Sequence, residues 1–86
     1  MYDIRFVTSA AREFRLLPPE AQRRVGAMID ELSQNPRPPG VRKLQGHERL
    51  YRVRVGQYRV VFEIDDEDQL VRITRVRHRR EVYQNL

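Results

Sequence analysis

Arg52, Arg54 and Arg59 stand in one short stretch, Leu50 to Phe62, that alternates apolar and polar residues around Gly56-Gln57. Alternation of this kind is the signature of half-buried strands. A two-residue loop with Gly first is what a type II′ hairpin turn prefers. With Gly56-Gln57 as the loop, Val55 faces Tyr58, Arg54 faces Arg59, and Val53 faces Val60. Directly opposed residues share a sheet face, and faces alternate along each strand. One face then carries Tyr51, Val53, Val55, Tyr58, Val60, Phe62 and Ile64. The other carries Arg52, Arg54 and Arg59, with Val61 and Glu63. Like charges directly opposite one another destabilise a hairpin, so folding alone gives no reason to gather them. Two readings stand open: an anion held on that face, with phosphate matching the planar, bidentate guanidinium, or a solvated face with Glu63 in partial relief.

A second basic run, Arg72, Arg75, Arg77, Arg79 and Arg80, contains no acid between positions 72 and 80. His78 lies inside it and Tyr83 follows. Histidine titrates near neutrality, and tyrosine stacks on a base or donates from its hydroxyl. Beside a phosphate these side chains could supply proton transfer and nucleotide contacts. A lone histidine is more often a surface residue, and a tyrosine near a chain end more often packs over a sheet edge. Asp65-Asp66-Glu67-Asp68 lacks the spacing and final Glu of a calcium loop and reads as a solvated turn. No metal site and no cofactor are expected.

The whole chain has the same bias. Its 86 residues carry 17 Lys+Arg against 12 Asp+Glu and no Cys, for a net charge of +5. Only Lys43 is a lysine, and the isoelectric point is about 10.4. This length holds one domain, residues 1–86, with a thin core. The charge points to an anionic partner, nucleic acid or an acidic protein, although genomic base composition could also favour Arg over Lys. The absence of Cys removes disulfides, thiolate catalysis and Cys-ligated zinc, and fits the cytoplasm. No apolar run approaches the roughly 20 residues of a membrane span. Met1 to Phe6 has no apolar signal-peptide core.

The elements that must position these side chains follow from spacing. Tyr2, Ile4 and Phe6 share one side of a strand over 2–7. Thr8 or Ser9 is placed to cap a short helix bearing Ala10, Phe14 and Leu17. Pro18-Pro19 breaks that helix and starts the next, in which Ala21, Val25, Met28, Ile29 and Leu32 form one apolar face. It ends near Gln34, before a Pro-rich segment. Arg12, Arg15, Arg23 and Arg24 fall on the solvent side of this helical hairpin. Residues 41–49 read as loop, followed by strands over 50–55, 58–64 and 70–76. The tail from Arg79 to Leu86 is too short to assign. The expected class is α+β, order βααβββ(α), a helical hairpin packed on an antiparallel sheet.

Lys43-Leu44-Gln45-Gly46, Leu50-Tyr51-Arg52-Val53-Arg54, Gly56-Gln57-Tyr58-Arg59-Val60-Val61-Phe62 and the ending Val76-Arg77-His78-Arg79-Arg80-Glu81-Val82-Tyr83 resemble the RelE toxins of bacterial toxin–antitoxin systems. The resemblance spans nearly the whole chain and implies a RelE-like fold. It also implies a metal-independent endoribonuclease (an mRNA interferase) that cuts mRNA in the A site of the 70S ribosome and so inhibits translation. In that chemistry the mRNA's own 2′-hydroxyl attacks the adjacent phosphate. By motif, Arg52, Arg54, Arg59, Arg79 and Tyr83 match the family's catalytic positions, with His78 as an optional acid–base partner. Lys43, Arg77, Arg80 and the four helical arginines are candidate RNA contacts. Arg77 replaces a usual glycine. Arg52 and Arg54 replace lysines of the best-known members, and an arginine cannot lose its proton as a base must. A cognate antitoxin is the implied protein partner, with DNA reached only through it. A ParE-like inhibitor of DNA gyrase on the same fold, or a non-catalytic RNA-binding module, are the alternatives, since fold alone does not choose between them.

Overall fold

The computed structural model describes residues 1–78. Strand β1 (Asp3–Phe6) leads into helix α1 (Thr8–Arg15) and helix α2 (Pro19–Gln34). A two-residue strand β2 (Arg42–Lys43) precedes β3 (Leu50–Val55), β4 (Tyr58–Asp65) and β5 (Leu70–His78). The sheet order is β1-β5-β4-β3-β2. The two helices cover one face of it, a two-layer α+β arrangement.

The apolar spacing of α2 explains the packing. Val25, Ile29 and Leu32 are buried, as the helical period predicts, and join Val53, Val60, Phe62, Val71, Ile73 and Val76 in one core. Pro19 occupies the first turn of α2, where a missing N–H costs nothing. The helix stops at Gln34, just before Asn35-Pro36. Gln22 ties the two helices by donating from Nε2 to the Phe14 carbonyl at 3.2 Å.

The β3–β4 hairpin has the register expected from Gly56-Gln57: Val55 opposite Tyr58, Arg54 opposite Arg59, Val53 opposite Val60. Gly56 takes φ +59°, the sign that the first residue of a type II′ turn requires.

Three features differ from the sequence expectation. The sheet is mixed, because β1 runs parallel to β5, with Ile4 beside Val71 and Phe6 beside Ile73. A pairing between chain ends leaves no local signal. Within 41–49, Arg42 and Lys43 pair with Arg52 and Tyr51, a strand too short to alternate visibly. Neither Thr8 nor Ser9 caps α1; Val7 holds that position and no side chain bonds there. The Val7 N–H is committed to the Ile73 carbonyl at 2.9 Å, so the chain passes directly from the sheet ladder into the helix.

A fourth feature is a bulge in β5. Phe62 pairs with Ile73, but Val61 pairs with Arg75, which leaves Thr74 as the extra residue. Its hydroxyl donates to the Val61 carbonyl at 3.0 Å and repairs the ladder. The bulge flips the face parity of everything after it. Core residues therefore run Val71, Ile73, Val76, and Arg75 and Arg77 move to the face away from the helices.

Candidate functional site: an arginine cleft on the open sheet face

Register and bulge together build two cross-strand rows on the sheet face opposite the helices. Arg54, Arg59 and Arg77 form one row across β3, β4 and β5. Arg42, Arg52, Val61 and Arg75 form the next. A cleft of about 390 Å³ opens here, lined by Gly40, Arg42, Arg52, Arg54 and Arg59. Among the described residues, no carboxylate lines it. Among the described residues, no acid pairs with Arg42, Arg52 or Arg54.

The cleft residues differ in setting. Arg54 is exposed and Arg52 half-buried. Arg59, on the central strand, is only 4% exposed, and Val61 beside it in the same face is 2% exposed. The expectation of an open solvated face therefore holds for β3 but not for β4. A buried arginine is uncommon, and truncating Arg59 would remove packing as well as charge.

The structure brings together three of the sequence candidates, Arg52, Arg54 and Arg59, and separates others. Arg77 stands beside Arg59 in register, but its Nε donates to the Glu13 carboxylate of α1. The other Glu13 oxygen accepts the Val76 N–H at 2.8 Å, so Glu13 holds the β5 edge where β1 ends. His78 lies opposite Tyr58, on the helix-side face, and their rings meet edge-on at 5.7 Å. The sheet thus stands between His78 and the cleft. Lys43 pairs with Tyr51 and has the same parity, so Arg42 rather than Lys43 joins the cleft. Arg12, Arg15, Arg23 and Arg24 are exposed on the helical layer, on the other side of the molecule. Arg24 reaches the hairpin tip, with Nη1 3.4 Å from where a Cβ at Gly56 would stand. Arg79, Arg80 and Tyr83 lie outside the described residues.

Sequence reasoning missed Arg42 and Gly40. Gly40 adopts φ +95°, a conformation open to glycine, and turns the Pro-rich segment into β2. Pairing Arg42 with Arg52 required knowing that β2 exists. The grouping of Arg75 with Arg77 did have a signal. Apolar spacing in β5 changes from two residues, Val71 to Ile73, to three, Ile73 to Val76.

The acidic residues gather elsewhere. Asp65 accepts the Asp68 N–H at 3.0 Å in the β4–β5 turn. Asp66 is held by Arg37 through both carboxylate oxygens, at 3.2 and 2.9 Å, and accepts the Tyr2 hydroxyl at 2.7 Å. The Arg37 bonds first, then Tyr2, hold the Asp66 carboxyl below the usual carboxylate range. The same bond to Asp66 pushes the Tyr2 hydroxyl up. Arg37 also lies over the Tyr51 ring, 5.2 Å from its centre. Six residues of β4 separate Arg59 from Asp66, roughly 20 Å at strand rise. The positive cleft and the negative turn occupy opposite ends of the sheet.

Known proteins are similar to this chain in sequence and in fold. A family model described as the ParE toxin of type II toxin–antitoxin systems matches residues 4–83. Toxin RelG of Mycobacterium tuberculosis is 37% identical over 89 aligned residues, covering 95% of each chain. The toxin–antitoxin complex RelBE2 of the same organism contains a chain of similar fold, with TM-score 0.78 and 35% identity over 90% of this chain and 96% of that one. The intact E. coli RelBE toxin–antitoxin complex gives TM-score 0.81 and 25% identity, over 91% and 96%. Among the described residues, no helix is long and apolar enough to cross a membrane.

Proposed function

The chain belongs to the RelE toxins, within the ParE toxin family of type II toxin–antitoxin systems, and on that footing we propose that it is an endoribonuclease that cuts mRNA in the ribosomal A site. The observation that carries this reading is the cleft itself: four arginines from three adjacent strands, three of which, Arg42, Arg52 and Arg54, pair with no acid among the described residues. Like charges facing one another across strands cost stability, an anion among Arg42, Arg52 and Arg54 offsets that cost, and RNA presents such an anion in every phosphodiester.

In the proposed reaction the substrate's 2′-oxygen forms a bond to phosphorus while the bond from phosphorus to the 5′-oxygen breaks. A 2′,3′-cyclic phosphate and a 5′-hydroxyl result. The 2′-hydroxyl loses a proton and the departing oxygen gains one. Charge builds on the non-bridging oxygens as the pentacoordinate state forms. Fixed guanidinium donors in a site partly closed to water stabilise that charge without reorganising. Arg59, held rigid by burial, fits the scissile phosphate. Arg52 and Arg54 fit the flanking backbone and the attacking or leaving oxygen as electrostatic clamps. None of them can serve as the base. Arg79 keeps the role of joining Arg59 on the scissile phosphate, and Tyr83 that of orienting the nucleotide, both on the motif match to the family. The reaction draws on no metal ion or cofactor. His78, on the other face beside Tyr58, takes no part, so His78→Ala should leave the pH–rate profile superimposable on that of the wild type. Loss of one limb of the profile would return His78 to the site.

The partner in the cell is a cognate antitoxin, acidic enough to cover a +5 toxin. The RelBE complexes supply the precedent. DNA contact comes only through that antitoxin. One observation favours a second reading: the matching family model bears the ParE name, and a ParE-like toxin would act on DNA gyrase. Incubation with translating ribosomes followed by mapping of mRNA ends separates the two. Cuts at A-site codons support the nuclease. Intact mRNA with arrested replication supports the gyrase inhibitor.

A further inference from the structure

Arg42 is exposed on the two-residue edge strand β2, directly opposite Arg52, and lines the same cleft. An isolated charge on an edge strand is explained by the need to deter pairing with another chain. That need is met without standing opposite a second guanidinium, which costs stability. The two cleft rows, Arg42–Arg52 and Arg54–Arg59, are two residues apart along β3, roughly 7 Å at strand rise. That distance is close to the separation of successive phosphates along an extended single strand.

We propose that the cleft is a two-phosphate site: the Arg54–Arg59 row holds the scissile phosphate, and Arg42 with Arg52 holds the adjacent phosphate of the same strand. The polynucleotide backbone then runs along β3, and the substrate is a single-stranded segment with at least two consecutive phosphodiesters. Arg42 is a phosphate-binding residue of the second position. Gly40 lines the same cleft beside Arg42. This inference rests on the phosphate reading of the cleft given above.

The test uses the full chain and two uncleavable ligands, a deoxydinucleotide with one phosphodiester and a deoxytrinucleotide with two. Affinity is followed by NMR titration over a range of salt concentrations. The wild type should bind the two-phosphate ligand about three- to tenfold more tightly, with a salt slope steeper by about 0.7 for the added single-strand phosphate. Arg42→Gln should erase this increment and leave one-phosphate binding within about twofold. Arg42→Lys should keep most of it. An undiminished increment in Arg42→Gln would overturn the two-phosphate site while leaving the one-phosphate reading standing. No binding of either ligand by the wild type, or binding indifferent to Arg54→Ala, would overturn the phosphate reading itself and this inference with it.

Discussion

The outer face of the sheet carries arginines at both ends, and the two ends place them in different company. Toward β1, Arg72 lies opposite Glu63 and forms an ion pair with it. Toward the hairpin, Arg42, Arg52 and Arg54 have no acidic neighbour among the described residues, and they surround a cleft. The strands and their alternation are the same, so secondary structure does not account for the difference. At one end a carboxylate faces the arginine across the sheet; at the other, the proposed function assigns that place to a phosphate of the substrate. The helix-side face is the reference for both, since its core is built from apolar burial.

The sharpest break in this comparison comes from the helix side. Phe62 is fully buried, and Phe62→Ala should cost about 3–5 kcal/mol, measured by chemical denaturation, with activity lost alongside the fold. At the cleft end the two effects should part. Arg54→Ala should lower mRNA cleavage about a hundredfold or more, the scale of one lost transition-state donor. Its stability should stay within about 0.5 kcal/mol of the wild type, or rise as repulsion with Arg59 is relieved. Arg59→Ala is the less informative variant because Arg59 is buried. At the other end the pattern should reverse. Arg72→Ala should cost less than about 1 kcal/mol, as for a partly exposed ion pair, and leave cleavage unchanged. Equal losses of activity from Arg72→Ala and Arg54→Ala would erase the distinction between the ends.

The smallest effect concerns the acidic turn. The Asp66 carboxyl is held low by Arg37 and Tyr2, so its contribution is present above the unfolded carboxylate value, about 3.9. It is lost as pH falls through the lowered folded value. Asp66→Asn should therefore narrow the stability gap from wild type below about pH 4 and leave cleavage at neutral pH untouched. A gap that stays constant across the acid range would remove the clasp from the account.

Local signals carried much of this molecule. Gly56 and the alternation around it were enough to place Arg54 against Arg59, because a tight turn transmits register directly. The offsets of Val25, Ile29 and Leu32 were enough for the buried face of α2. Non-local pairings left little trace. Nothing near Asp3 or Arg42 says that β1 joins β5 in parallel or that Arg42 meets Arg52. The Thr74 bulge decides which arginines of β5 share the cleft face, yet it marks the sequence only as one three-residue step between Ile73 and Val76. His78 and Lys43 stand close in sequence to cleft residues, and strand parity places both on the face opposite the cleft. Thr8 looked like a cap by residue type, but the ladder bond of Val7 had already determined where α1 begins.

The most direct test of the central claim is to map mRNA ends after adding purified wild type or Arg54→Ala protein to translating ribosomes, with circular dichroism showing both folded. The account predicts cuts at A-site codons ending in 2′,3′-cyclic phosphates for the wild type and their near absence for Arg54→Ala. Cleavage by folded Arg54→Ala at the wild-type rate, or intact mRNA with the wild type, would contradict it.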